Sequence, residues 1–176
     1  MTNGLAFSQR TYRYLVSELA RRGGGRRESG AFLLARRGRP AVNGFRQVDA
    51  FALYDDLDPD CLVGSIEMHP IGFSRLNALC RERGLEVVGD AHTHPSTHVC
   101  QSDIDSSNPM AAFPGHIALI VPRYAQGRPA LPELGAHEFL GKGRWNSRFG
   151  GDVAEVLRMR SGIALWFLAR GPKEEA

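Results

Sequence analysis

Three histidines, a cysteine, two serines and three aspartates lie close together in the segment GDAHTHPSTHVCQSDID, residues 89–105. Imidazole, thiolate and carboxylate groups are the side chains that bind transition metals in proteins. Such a segment is either a polar surface loop or a reaction centre. The spacing of its residues distinguishes the two.

Two of the histidines follow an apolar run. The stretch LEVVGDAHTH (85–94) has the pattern of a buried strand, and Pro95 ends it because proline cannot donate to a strand ladder. Side chains two residues apart on a strand point to the same face. His92 and His94 are therefore predicted to present two imidazoles side by side, which is half of a metal site.

A third ligand is predicted a short loop later. Ser102 is a good N-cap for a short helix starting at SDID, and Asp105 then falls in the first helical turn. Folded back under the end of the strand, this turn would bring the Asp105 carboxylate to both histidines. Two histidines and one carboxylate leave a fourth position open, as in catalytic zinc sites. We therefore expect one Zn²⁺ per chain.

Zinc chemistry also requires a group that moves protons. Zinc lowers the pKa of its bound water to about 7, and a general base must then carry a proton to the leaving amine. Glu28, in RRESGAFLLA, precedes a predicted strand and could face the strand that carries His92 and His94. The alternative is a solvated carboxylate paired with Arg26 or Arg27.

These two segments resemble a known family. HTHPSTHVCQSDID fits the pattern H-x-H-P-x6-S-x-x-D of the JAMM/MPN-domain (Mov34/JAB) zinc metalloproteases, and ESGAFLLA is similar to the segment that carries the family's catalytic glutamate. The likeness spans roughly residues 8–140 in the order of its elements. Within the family, HIALIVPRYAQG and LGAHEFLGKGRW look most like the compact bacterial members found in anti-phage operons with ubiquitin-transfer genes.

The resemblance implies a role for each residue. His92, His94 and Asp105 would bind Zn²⁺, Glu28 would be the general acid/base, and Ser102 would help to stabilise the oxyanion of the tetrahedral intermediate. The substrate would be the amide bond after the C-terminal tail of a ubiquitin-like protein, with the tail added as a strand beside the site. E1-like and E2-like enzymes of the same operon would be further partners.

Other polar residues are interpreted as structural. His98 and Cys100 are expected to line a loop, although a Cys100 thiolate at the open zinc position is an alternative. His69, His116 and His137 have no motif around them. The acidic run DDLDPD (55–60) lacks the glycine and final glutamate of an EF-hand and is expected to be a solvated turn.

The remaining sequence must supply the elements that position these residues. Helical periodicity predicts helices over 8–22, stopped by Gly23–Gly25, and over 70–84. Short apolar runs predict further strands, one of which (42–48) would pair with the first (30–38). These strands cover residues 30–38, 42–48, 61–68, 116–122 and 135–141. The tail 152–169 is compatible with helix or strand.

Helices that alternate with short strands predict an α/β domain with one central sheet. With 176 residues we expect a single domain, 1–176, and the resemblance implies an MPN-type (cytidine-deaminase-like) fold with a central mixed sheet flanked by helices. An odd number of cysteines favours a reducing compartment. With no secretory signal and no run long enough to cross a membrane, the protein is predicted to be cytoplasmic.

Two other functions stay open at this point. One is a zinc amidohydrolase acting on small amides or on single amino acids linked to a carrier protein. The other is a non-catalytic MPN scaffold, which is disfavoured because such members usually lose ligands. The net charge of +3 comes from 20 arginines and two lysines against 19 acidic residues. The arginine-rich segment 21–27 is interpreted as a solvated helix end, without a nucleic-acid motif.

Overall fold

A computed structural model describes residues 4–63, 66–160 and 167–168, in which strands alternate with helices. The helices are α1 (Gln9–Gly23), α2 (Tyr54–Leu57), α3 (Pro70–Arg83) and α4 (Asp103–Ser107). The strands are β1 (Gly4–Ser8), β2 (Gly30–Arg36), β3 (Phe45–Gln47), β4 (Ala50–Leu53), β5 (Leu85–Thr93), β6 (Ile117–Val121), β7 (Gly135–Gly141), β8 (Arg144–Arg148), β9 (Leu157–Arg160) and β10 (Phe167–Leu168). Short 3-10 turns cover Arg123–Ala125, Leu131–Glu133 and Gly150–Glu155.

Both long helices form where the periodicity predicts them. The Ser8 hydroxyl caps α1 by accepting a hydrogen bond of 3.0 Å from the Thr11 amide, and Gly24 ends the helix in the left-handed conformation at φ 58°. Pro70 opens α3, and Gly84 closes it at φ 61°. The predicted apolar face of α1 is buried: Tyr12, Leu15, Val16 and Leu19.

The strands form two sheets, not the one that was expected. Seven strands lie in the order β10-β4-β2-β5-β6-β7-β8, and β3, β1 and β9 form a separate parallel sheet. The large sheet is mixed, because β5–β6 and β4–β10 are parallel while its other neighbours are antiparallel. The α/β class with mixed sheets flanked by helices is confirmed. The second sheet was not predicted, because its central strand β1 leads into α1 without a turn residue to mark the boundary.

The core has two parts, one on each face of the large sheet. Strand β2 is buried along nearly its whole length, and its side chains alternate between the parts. Leu33 packs with the α1 face, whereas Phe32 and Leu34 pack with the α3 face. Helices α1 and α3 therefore cover opposite faces of the sheet. Within the described part of the chain, no helix is both long and apolar enough to cross a membrane.

Two strand predictions were wrong. Segment 42–48 contributes only β3, which pairs in parallel with β1, while β2 pairs with β4 and β5. Segment 61–68 is not a strand in its described residues; Cys61 and Leu62 are apolar because this loop is buried against α3. Packing of a loop and pairing of a strand leave the same apolar signature in a short run.

Two further strands were not predicted. The described part of the tail contains both a 3-10 turn and strands. Strand β4 is apolar but only four residues long, and β8 has the mostly polar sequence RWNSR. The tail contains the turn Gly150–Glu155, β9 and the two-residue β10. Its other positions, 161–166 and 169, lie outside the described residues.

Candidate metal centre

The two motif histidines meet at the end of β5. His92 lies in the strand, and the His94 amide donates to the Val121 carbonyl at 2.9 Å, which continues the pairing with β6 one residue beyond β5. Their rings stand 5.2 Å apart between centroids. The strand alternation therefore presents both imidazoles on one face, as predicted.

Helix α4 brings Asp105 to these rings. Ser102 caps the helix, and the Ser102 and Asp105 side chains each accept a hydrogen bond from the other's backbone amide. This reciprocal cap fixes the Asp105 carboxylate. Its Oδ1 lies 3.5 Å from His92 Nε2, and its Oδ2 lies 3.4 Å from His94 Nε2.

The spacing of these donor atoms fits a tetrahedral metal. Zinc bonds of about 2.0–2.1 Å in tetrahedral geometry place neighbouring ligand atoms about 3.3–3.4 Å apart. Each histidine lies close to that spacing from a different oxygen of Asp105, and one donor atom from each of the three residues lies within 4.8 Å of the others. A single bound ion would draw the three donors closer together. In addition, His92 Nε2 is buried without a hydrogen-bond partner among the described residues. The residues present thus fit a metal ion.

The second nitrogen of each imidazole faces an oxygen. His94 Nδ1 lies 3.2 Å from the His98 carbonyl, and His92 Nδ1 lies 3.7 Å from Asp90 Oδ2. Metal-bound histidines usually have such an acceptor behind them, which fixes the ring and directs Nε2 to the metal. His98 thus contributes through its backbone, and its side chain stays in an exposed loop.

Asp90 belongs to a buried network that the sequence analysis did not identify. Its Oδ2 accepts a hydrogen bond of 2.9 Å from the Tyr54 hydroxyl, and its Oδ1 lies 2.6 Å from His116 Nε2. All three side chains are buried. His116, interpreted as structural, thus supports the carboxylate behind His92. The signal in the sequence was the spacing of Asp90, His92 and His94 on alternate strand positions.

The electrostatics of the centre reflect clustered opposite charges. Burial acts to lower the pKa of His92, but Asp105 and Asp90 outweigh it and raise the pKa to about 10. Burial would raise the pKa of Asp105, but His92, His94 and Ser102 hold it well below its usual range. Both carboxylates are therefore ionised at neutral pH, and without a metal His92 carries a proton.

Glu28 lies at the same end of the sheet. Gly30 is the register partner of His92 in the antiparallel β2–β5 pair, and the Thr93 amide donates to the Ser29 carbonyl at 2.9 Å. Continuing this register places Glu28 opposite His94. Burial raises the pKa of Glu28, which His94 and His92 counteract and Asp105 reinforces. Among the described residues Glu28 makes no hydrogen bond or ion pair, so the alternative pairing with Arg26 or Arg27 is absent.

The Ser102 hydroxyl contacts a predicted metal ligand, whereas its predicted role requires it to face the oxyanion of the substrate. The hydroxyl donates to Asp105 Oδ2 at 2.7 Å, so it orients a ligand. To reach an oxyanion, the hydroxyl would have to rotate away from Asp105.

The other flagged residues lie apart from the three donors. Cys100 is exposed and does not belong to the cluster of donors found among the described residues. The acidic run 55–60 is not the solvated turn that was expected, because Arg22 pairs with Asp55 at 2.6 Å and with Asp56 at 2.8 Å.

No known family model matches the chain. The solved structures that share its fold include two solution structures. One is a solution structure of a protein from Desulfitobacterium hafniense, with a TM-score of 0.59 and 18% identity over 90% of this chain and 94% of that one. The other is a solution structure of a protein from Salinibacter ruber, with a TM-score of 0.57 and 20% identity over 81% of this chain and 88% of that one. At these identities the likeness concerns the fold alone.

Proposed function

We propose that this chain is a zinc-dependent peptidase of the JAMM/MPN type. It would hydrolyse the amide bond after the C-terminal tail of a ubiquitin-like protein, either in a conjugate or in a precursor. The observation that carries the proposal is the convergence of one donor atom each from His92, His94 and Asp105 within 4.8 Å of one another, the donor set of a catalytic zinc site. The register that places Glu28 opposite His94 supports it.

Each residue then has a chemical task. Bound zinc would polarise the scissile carbonyl and acidify a water molecule. Glu28 would take up a proton from the attacking water and pass it to the leaving amine, a task suited to a carboxylate whose pKa is raised by burial. Asp90 and the His98 carbonyl hold the two imidazoles. Ser102 holds Asp105, and its hydroxyl would stabilise the oxyanion after rotating away from Asp105.

The proposal extends to the fold family and the setting. We assign the domain to the MPN type, with a cytoplasmic location and with E1-like and E2-like enzymes as partners. The support is the motif at 92–105 together with Glu28, on an α/β fold with mixed sheets.

A second candidate function has its own support. A cavity of about 410 Å³ adjoins His92 and Asp105. Pockets of this size hold small molecules, which favours a zinc amidohydrolase acting on small amides or on single amino acids linked to a carrier protein.

The decisive experiment is hydrolysis of a ubiquitin-like fusion by the zinc-loaded protein, with and without a chelator. Glu28→Gln should retain zinc, measured by mass spectrometry, while the rate falls at least ~100-fold, because general acid–base catalysis contributes that much. Glu82→Gln, an exposed change of the same kind on α3, should keep full activity.

The outcomes separate the candidate functions. Hydrolysis that survives both the chelator and Glu28→Gln contradicts the mechanism. A protein that takes up no zinc is a scaffold. Hydrolysis of small amides but of no protein fusion favours the amidohydrolase.

A further inference from the structure

We propose that the cavity beside the metal centre binds an apolar side chain from the acyl half of the substrate, the half that contributes the scissile carbonyl. This inference rests on the proposed function and narrows its substrate class. It names ubiquitin-like tails or acyl groups with a large apolar side chain close to the bond that is cut.

The cavity is continuous with the metal centre. Asp90, His92 and Asp105 form its inner end, and its volume is about 410 Å³. Helix α4 forms one of its walls, and residues 66–68 with Phe73 form another. A substrate whose carbonyl reaches the metal therefore has this space directly beside it.

The position of Glu28 determines which half of the substrate enters. Along β5, Asp90, His92 and His94 follow one another on one face, and the cavity adjoins the first two but not His94. Glu28 lies at the other end, opposite His94 by the β2–β5 register, and is not part of the cavity wall. Because Glu28 delivers a proton to the leaving amine, the amine must lie towards His94. The acyl half must then extend towards the cavity.

The walls of the cavity are suited to an apolar group. Its apolar lining residues are partly buried against the core or exposed at its mouth: Ile66, Met68, Phe73, Ile104, Met110 and Trp145. Ile104, 63% exposed on the five-residue helix α4, adds an apolar side chain to the cavity wall. Met68 and Met110 have flexible side chains that can adapt to apolar groups of different shape.

Charge in the lining limits the choice further. The described lining residues include no lysine or arginine, and Asp90 and Asp105 are engaged with the histidines. Glu67, exposed, is the other carboxylate in the wall. Apart from the metal at the inner end, an acidic side chain would thus find no positively charged partner among the described lining residues. The Trp145 side chain in the wall is held in place, because its indole N–H donates to the Ser106 carbonyl at 3.0 Å and its ring packs on Phe139.

The test uses peptides with a fluorogenic amine as the leaving group. Two series of peptides are made, and in each series one position is Leu, Phe, Gly, Lys or Asp. The varied position is the residue that contributes the carbonyl in the first series and the residue two before it in the second. Both are tested because alternate side chains of an extended chain share a face. With the zinc-loaded protein, we expect kcat/KM for Leu and Phe to exceed that for Gly and Asp by about tenfold or more in one of the two series. A parallel series varies the leaving amine, for which we expect less than threefold variation, roughly the effect of contacts outside a pocket.

Two matched variants locate the preference. Ile104→Ser removes an apolar wall and should lower the preference for Leu and Phe at least about threefold. Ile71→Ser makes the same change on α3, at a residue that is 52% exposed and outside the cavity, and should leave the preference unchanged. Thermal melts and zinc content establish that both variants are folded and loaded.

A binding measurement separates this inference from the proposed function. In the zinc-loaded Glu28→Gln protein with Trp166→Phe, Trp145 is the only tryptophan of the sequence, and its fluorescence reports on the cavity wall. Tighter binding of Leu and Phe peptides, without hydrolysis by the unmodified protein, would support the pocket and contradict the peptidase. Equal binding and hydrolysis of all peptides, a preference for Lys or Asp, or equal effects of the two serine variants would overturn the pocket.

Discussion

At the scale of single residues, the centre depends on a carboxylate that does not itself reach the metal position. Asp90 lies behind His92, and Tyr54 and His116 hold it by hydrogen bonds of 2.9 and 2.6 Å. An ionised acceptor behind an imidazole keeps Nε2 directed at the metal and makes it a stronger donor. The Nδ1–Oδ2 separation of 3.7 Å leaves room for this contact to shorten on loading.

Asp90→Asn should therefore weaken zinc binding by roughly 10- to 100-fold, the usual cost of losing such a partner. Competition against a chelator of known affinity measures this loss directly. Asp103→Asn is the matched control, since Asp103 is exposed and its carboxylate is not among the three donors. Equal zinc affinities in the two variants would show that Asp90 only fills space.

Zinc affinity should also depend on pH. The pKa of His92 is raised to about 10 by Asp105 and Asp90 against the effect of burial, so the metal-free ring carries a proton throughout the neutral range. Zinc must displace that proton, and each rise of one pH unit below 10 should strengthen apparent binding about tenfold. An ordinary histidine, with a pKa of about 6.5, would give a flat response above pH 7.

Titration with a chelator at pH 6.5, 7.0, 7.5 and 8.0 measures this slope. A plateau above pH 7 would contradict the charge arrangement described for His92. Proton release into a weakly buffered solution gives an independent count of displaced protons.

The convergence of the three candidate metal donors could be predicted from the sequence because their chemistry and their spacing are local. His92 and His94 lie two residues apart on a strand, and Ser102 caps the turn that carries Asp105. Asp90 and His116 could not be assigned in the same way. Their contact joins β5 to the residue before β6, and only the pairing of the two strands brings the side chains together.

At the scale of elements, one glycine allows the network to form. The Tyr54 ring crosses β2 at Gly30, where an added Cβ would lie 2.2 Å from Tyr54 Cε2. With a side chain at position 30, the Tyr54 ring could reach Asp90 only if β2 or α2 were displaced. The requirement for glycine here comes from close packing, since the backbone at Gly30 is not left-handed.

Gly30→Ala should therefore lower the free energy of unfolding by about 2–3 kcal/mol, as overpacking of a core does. Zinc binding should weaken as well, because the contact between Tyr54 and Asp90 is lost. Urea denaturation followed by circular dichroism measures the first effect. Gly151→Ala, where the added Cβ would have no neighbour within 4 Å, should change stability by less than about 0.5 kcal/mol.

A second element next to the centre has unusual backbone geometry. Arg123, Tyr124 and Ala125 all have positive φ, at 54°, 51° and 61°. Side-chain-bearing residues rarely adopt this conformation, which costs roughly 1–2 kcal/mol at each position. The turn directs the Arg123 and Tyr124 amides at the Ser96 and His94 carbonyls, at 2.9 and 2.8 Å. It thus holds the end of the strand from which the second histidine projects.

Elements were predictable where a helix had both an apolar face and end signals. The helices α1 and α3 have these, and each ends at a left-handed glycine. The partner of β2 was not predictable, because β3 and β4 are both short and only the packed sheet selects β4. The left-handed turn at Arg123–Ala125 had no sequence signal, since none of its residues is glycine or asparagine.

At the scale of the whole molecule, the metal centre lies outside the two parts of the core. None of the three donors belongs to either buried apolar cluster, and α1, α3 and β2 pack without them. We therefore expect the fold to form without metal, unlike that of small zinc-stabilised domains. Zinc should stabilise the folded protein only by mass action.

Removal of zinc should thus leave the circular dichroism spectrum unchanged and lower the melting temperature. With free zinc at 100 times its Kd, the loss is about 2.7 kcal/mol, or roughly 5–10 °C for a chain of this size. Differential scanning calorimetry with and without a chelator checks this shift. Loss of secondary structure on chelation would mean that the metal is structural.

The pairing of β2 with β5 also has a consequence for how the protein matures. The three metal donors come from one uninterrupted stretch, 92–105, whereas Glu28 reaches them only through the β2–β5 ladder. If the chain binds zinc as proposed, residues 92–105 could bind the ion in a nascent or damaged chain in which β2 has not paired with β5 and Glu28 is not in place. Zinc content alone would then not show that β2 has paired with β5. Hydrolysis of substrate, which needs Glu28, would show it.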